Sequence, residues 1–219
     1  MIRAVGCKIV NKNRQTAVGF ASRFYFCIKI HFYFLSLTLK KKRIVISGGP
    51  GAGKSTLIKA LHKLGYPTHE EYSRTLLEAA KKEGLSRAFL SDPHAFSEAL
   101  FIGRKQQYEA LHDFDSPKPY VFFDRGIHDI YAYLKAIGKD TAEWHKKVAA
   151  FQYDLVFLLS PWEAIYRADA QRTETFEEAE HYFLFIEKVY KQSHKIIYVP
   201  HDTVDARISF IIEKLNGHG

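Results

Sequence analysis

From residue 44 onward the apolar positions alternate between two kinds of run. Short continuous runs occupy residues 44–47 (IVIS), 120–123 (YVFF), 155–159 (LVFLL) and 196–199 (IIYV), with a further short strand expected at 67–70. Between them, apolar residues recur at helical spacing: after Lys54 until Gly65 stops the helix, over 72–82, from Asp92-Pro93 to about 112, over 127–137 and 141–150, from Pro161, over 175–194 and over 203–215. Asp92 is the expected cap and Pro93 the first helical residue of the third of these helices. Strands that lack polar alternation, each followed by a helix, predict a parallel sheet buried on both faces. The expected fold class is therefore α/β, three layers deep, over residues 41–219. No internal repeat or low-complexity tract interrupts that region.

Charge divides the chain differently. Residues 1–43 hold ten of the 32 Lys and Arg and no Asp or Glu, so the formal net charge of +8 belongs to them. The remainder carries 22 basic against 24 acidic side chains. A groove following a nucleic-acid backbone needs clustered excess positive charge, which the body lacks, and no nucleic-acid partner is expected. Both cysteines, Cys7 and Cys27, also lie in the extension. The body therefore offers neither a disulfide framework nor a thiolate metal site, in keeping with a reducing, cytoplasmic setting. Residues 24–39 (FYFCIKIHFYFLSLTL) are largely apolar, but as a helix they span only about 24 Å, short of a bilayer core of about 30 Å. Lys29 and His31 sit near their middle, no small-x-small cleavage site follows, and KKKR comes next. Three readings stay open for residues 1–40: a membrane anchor, an extra hairpin, or an over-long gene assignment with the true start at Leu37 or Leu39.

The strongest chemical signal is Gly48-Gly49-Pro50-Gly51-Ala52-Gly53-Lys54-Ser55, followed by Thr56. It satisfies G-x-x-x-x-G-K-[ST] and lies between a predicted strand and a predicted helix. A loop that wraps a polyphosphate must aim successive backbone N–H groups inward, in conformations that Gly adopts cheaply. The helix beyond adds its positive end. Lys54 is the expected cation for the terminal phosphates and Ser55 the hydroxyl for Mg²⁺. The strand at 120–123 ends in Asp124, the expected carboxylate partner of that metal. The predicted cofactors are therefore ATP and Mg²⁺, with GTP as the other purine triphosphate the motif accommodates.

Several nucleotide-hydrolase classes do not fit. No guanine-reading N-K-x-D follows the loop, no L-S-G-G-Q is present, and no second acidic residue follows Asp124. The pair Asp124-Arg125 instead resembles P-loop kinases for small molecules, in which Arg125 faces the acceptor; a surface ion pair is the other reading. Glu71 and Arg74 lie one helical turn apart, where a strand's carboxyl end would aim them into the ligand crevice, or where they form a plain surface pair. Arg167, Asp169 and Arg172 precede a long helix; Arg172, then Arg167, is the candidate for a mobile cation at the transferring phosphoryl group, and a solvated helix end is the alternative.

Together, ISGGPGAGKST, EEYSR, VFFDRGIHD, FLLSPWEAIYRADAQR and YVPHDTVDARISFI resemble the NadR-type AAA domain family, small P-loop ATPases related to ribosylnicotinamide kinase and more distantly to nucleoside and thymidylate kinases. The likeness runs from about Arg43 to Leu215. It implies ATP binding, with Glu71 and Arg74 at the acceptor pocket, residues 167–172 as a lid, and the turn at Pro200 and His201 near the adenine. Some relatives are GTP-binding regulators, so two functions are carried forward: γ-phosphoryl transfer to a small-molecule acceptor or water, and a nucleotide-dependent switch for a protein partner. The eleven His are scattered without metal-ligand spacing, and Ser47 lacks a G-x-S-x-G context. Trp162 and Tyr166 are read as packing residues, and His69 and His128 as structural ones, with lining of the ligand crevice as the alternative for these two.

Overall fold

A computed structural model of the chain describes residues 41–82, 92–112, 114–166 and 174–217. The expectations for residues 1–40 and for Arg167, Asp169 and Arg172 lie outside the described residues.

Five strands form one sheet: β1 (Lys42–Gly48), β2 (Thr68–His69), β3 (Tyr120–Asp124), β4 (Leu155–Leu159) and β5 (Ile196–Tyr198), in the order β2-β3-β1-β4-β5. Every pairing is parallel. The helices are α1 (Lys54–Lys63), α2 (Tyr72–Lys82), α3 (Pro93–Glu109), α4 (His128–Ala136), α5 (Ala142–Ala149), α6 (Phe176–Lys191) and α7 (Val204–Asn216). Alternate residues of the central strands point to opposite faces, which produces two apolar cores. On one face Val45, Phe123 and Leu158 pack with α3, α4, α5 and α6 through Leu100, Ile130, Trp144 and Ile186. On the other, Ile46, Phe122 and Phe157 pack with α1 and α7 through Leu57, Leu61, Ile208 and Ile211. Each such buried Leu or Ile contributes roughly 2 kcal/mol. Among the described residues, no helix is long and apolar enough to cross a membrane.

Capping follows local chemistry. Asp92 accepts from the Ala95 amide at 2.9 Å with Pro93 just inside α3. Thr175 and Glu178 form a reciprocal pair at the start of α6, and Thr141 and Thr203 cap α5 and α7. Gly65, at φ 80°, closes α1.

Two expected elements come out differently. The strand expected at 67–70 narrows to Thr68–His69, since Pro67 has no N–H to pair and contributes its carbonyl to the Phe122 amide at 2.9 Å. Pro161 opens no α-helix through Tyr166. The chain makes one 3₁₀ turn, Glu163–Ile165, flanked by extended Trp162 and Tyr166. Trp162 lies flat on His201, with ring centroids 5.0 Å apart and planes 4° apart, and Tyr166 packs against Gly51. These tertiary contacts override the helical spacing of 161–166.

Candidate functional site

β1 delivers the chain to the phosphate loop at the middle of the sheet. Its last residue, Gly48, has φ 146°, and a Cβ there would overlap the carbonyl oxygen of Leu159 on β4. Gly53 takes φ 86° at the N-terminal end of α1. The first turn of α1 holds no acidic side chain to offset its positive end. Lys54 is buried, and its Nζ donates to the Gly49 carbonyl at 2.6 Å. Burial, then the neighbouring Arg125, pushes this ammonium down to about 7, so an arriving phosphate would restore its charge.

The register between β1 and β3 sets Asp124 level with Ile46, so its carboxylate reaches α1. Ser55 Oγ donates to Asp124 Oδ2 at 2.8 Å. Asp124 Oδ1 is buried without a hydrogen-bond partner among the described residues, and burial, then Glu71, raises the carboxyl above its ordinary value. A hydroxyl and a carboxylate with an unmet oxygen form a hard donor set that fits Mg²⁺.

Arg125 is buried, which removes the surface-pair reading, and its backbone is left-handed at φ 71°. Its Nε donates to Glu71 Oε1 at 2.7 Å, and its Nη1 to the Gly48 carbonyl at 3.0 Å and to Asp129 Oδ1 at 3.1 Å. Burial alone would raise Glu71; Arg125, then Lys54 and Arg104, outweigh it and hold the carboxyl down to about 2. Arg74 has no tight pair with Glu71, the Nε–Oε2 separation being 3.9 Å, and its Nη2 donates to Ser55 Oγ at 3.1 Å.

A cavity of about 380 Å³ opens beside these groups, lined by Ser55, Asp124, Glu71, Arg74, Lys59 and Glu78 among others. Thus Glu71, Arg74, Ser55 and Asp124 converge there, while Lys54 and Arg125 belong to the buried loop side. A second, more open cavity of about 440 Å³ is lined by Ser160, Tyr198, Val199, Pro200, His201 and Phe210.

Three buried polar residues of this region escape the motif reading. Arg104 donates to the Gly126 carbonyl at 3.0 Å and approaches Glu71 at 3.9 Å. Arg207 donates to the Ala52 carbonyl at 3.1 Å from α7. Asp129 gathers donors beneath the loop. The available signal was periodicity: Arg104 shares the buried stripe of α3 with Leu100 and Phe101, and Arg207 that of α7 with Ile208 and Ile211.

A glycine loop on the central strand of a parallel sheet, with a lysine, a serine and a strand-end aspartate at the following helix, defines a P-loop nucleotide-binding protein of the kinase-like α/β class. A family model described as AAA domain matches residues 43–207, and the chain belongs to that family, in line with the NadR-type resemblance of its motifs. No curated protein sequence matches the chain. Among solved structures it is similar to NadR in complex with NR (TM-score 0.61, 18% identity, 92% of this chain and 59% of that one). It is also similar to deoxyadenosine kinase from M. mycoides with dCMP and dCDP (0.56, 20%, 80% and 99%) and to thymidylate kinase from Candida albicans (0.55, 15%, 82% and 92%). The chain spans about 59% of the NadR chain.

Proposed function

We propose that the protein transfers the γ-phosphoryl group of ATP to a hydroxyl-bearing small molecule. The observation that carries this reading is that one cavity is lined both by Ser55 and Asp124, next to the phosphate loop, and by Glu71 and Arg74, with Arg74 in hydrogen-bond contact with Ser55. Donor and acceptor groups would therefore meet without a gap. The similar structures that bear kinase names support the reaction class.

Residues 48–56 and the ammonium of Lys54 would hold the triphosphate. Ser55 and Asp124 would hold Mg²⁺, which when bound offsets charge on the β- and γ-phosphate oxygens. Glu71, kept ionised, would accept a hydrogen bond from the acceptor hydroxyl and fix its direction, while Arg125 keeps Glu71 in place. The acceptor oxygen forms a bond to the γ-phosphorus as the bond to the ADP oxygen breaks, and the hydroxyl proton ends in solvent. Acceleration on this plan comes from positioning and from fixed charge. Arg172, with Arg167 as the second candidate, would close over the transferring group. The turn at Pro200 and His201, which lines the second cavity, would border the purine.

The test is a thermal-shift screen of nucleosides, nucleotides and vitamins with Mg·ATP and Mg·GTP, followed by single-turnover assays on the hits. Stoichiometric phosphorylated product from a hydroxyl-bearing compound is the expected result. Slow turnover indifferent to every compound would assign the nucleotide-dependent switch instead.

A further inference from the structure

Asp129 is fully buried, on the first turn of α4, and four donors reach it from three parts of the fold. Its Oδ1 accepts from Ser47 Oγ at 2.5 Å and from Arg125 Nη1 at 3.1 Å. Its Oδ2 accepts from the Gly126 amide at 2.9 Å and from Tyr190 Oη, on α6, at 2.7 Å. Gly126 is the residue that admits this, since a Cβ there would overlap the Tyr190 hydroxyl. Burial alone would raise the carboxyl; Arg125, then Arg104 and the two hydroxyls, keep it below its ordinary value.

A charge this deep seldom raises stability over an apolar packing of equal shape, so what it orients matters more. Two of its four donors, Ser47 and Arg125, lead to the phosphate loop. Ser47 immediately precedes Gly48, and the Nη1 that reaches Asp129 also holds the Gly48 carbonyl. Arg125 sits in the left-handed region, where a non-glycine residue is strained and persists only when its surroundings over-determine it. Its main-chain amide is pinned to the Ile46 carbonyl at 3.0 Å, and its side chain is stretched between Glu71 at the acceptor cavity and Asp129 beneath the loop. Without the charge on Asp129, Glu71 would be the one carboxylate still bonded to the guanidinium, which would shift toward the cavity and release Gly48.

We infer that Asp129 is a positioning residue of the nucleotide site: it divides the Arg125 guanidinium between the acceptor cavity and the Gly48 carbonyl, and so holds the phosphate loop in its receptive shape. The inference rests on the loop being a triphosphate grip. Asp129→Asn keeps the shape but removes the charge and turns one acceptor into a donor.

The experiment is a double-mutant cycle on Mg·ATP affinity with Asp129→Asn, Arg125→Met and the pair, measured by calorimetry well below each variant's unfolding temperature. Asp129→Asn should weaken binding about tenfold and add no further loss on the Arg125→Met background, the mark of action through one partner. Unchanged affinity in Asp129→Asn, or losses that multiply, would overturn the inference, since a merely structural carboxylate lowers the unfolding temperature and leaves the cycle additive. If Asp129→Asn does not fold, Tyr190→Phe removes one donor without a clash. It should weaken binding about threefold on the wild-type background and not at all with Arg125→Met; no change on either background overturns the idea. Should the wild type bind neither Mg·ATP nor Mg·GTP, the nucleotide reading fails. The inference falls with it, and the hold of Asp129 on Arg125 is then judged by itself through the slowly exchanging guanidinium NMR signals of Arg125, whose survival in Asp129→Asn would overturn that hold too.

Discussion

The phosphate loop and the cavity proposed for the acceptor meet at Ser55, beside Asp124, yet they are built in opposite ways. The loop is made of main chain, and its charged neighbours are tied: Lys54 to Gly49, and Arg125 to Glu71, Gly48 and Asp129. The cavity is made of side chains, several of them loose. Lys59, Glu70 and Glu78 are exposed, and Arg74, 43% exposed, has one 3.1 Å hydrogen bond to Ser55 and only a 3.9 Å approach to Glu71. A triphosphate is the same in every cell, so its grip can be rigid and preorganised. An acceptor differs from one enzyme to another, and recognition of it falls to side chains that substitution changes easily.

The sharpest way to break this contrast is Lys54→Ala. Removing the buried ammonium should weaken Mg·ATP by about a hundredfold or more, checked by calorimetry, as charge-assisted contacts of this kind contribute several kcal/mol. Next is Gly48→Ala, which forces a Cβ into the Leu159 carbonyl. It should cost about 3 kcal/mol or more of stability in urea unfolding, since main chain on β4 has to move. Arg74→Ala should leave nucleotide affinity within about twofold, because its hydrogen bond to Ser55 comes from a side chain 43% exposed, where such contacts are worth little, while removing acceptor-dependent turnover. Equal activity in wild type and Arg74→Ala would sink the cavity assignment.

The smallest effect concerns acid. His128 is buried with neither ring nitrogen hydrogen-bonded among the described residues. Burial, then His194, pushes it down to about 3 from an ordinary value of 6.5; Asp129 on its own helix opposes this, and Tyr153 and Tyr190 face the ring. The unfolded chain then binds the proton more readily, so stability is full above pH 6.5 and falls as the pH drops toward 3. Between pH 6.5 and about 5 the loss is about 2 kcal/mol from this residue. Thermal unfolding against pH reads it, and His128→Phe should flatten the slope.

Sequence pattern carried the sheet because continuous apolar runs such as YVFF and LVFLL are too short for a helix and suit strands buried on both faces. It failed at 161–166, where Trp162 and Tyr166 keep helical spacing but turn their rings onto His201 and Gly51, contacts that periodicity does not record. The loop was legible for a stricter reason: its conformation demands Gly at fixed offsets. The role of Asp129 was not legible, since its partners Ser47, Arg125 and Tyr190 lie up to 82 positions away and meet only once β1, α4 and α6 are assembled. Arg104 and Arg207 lay in view as cations on apolar stripes, a pattern that signals buried pairing without naming the partner.

The sheet's two borders have a consequence for association. β2 has two residues and β5 three, against seven in β1. A border this short offers an incoming chain few unpaired amides and carbonyls to zip onto. Among the described residues, copies of this molecule therefore have little strand edge on which to stack.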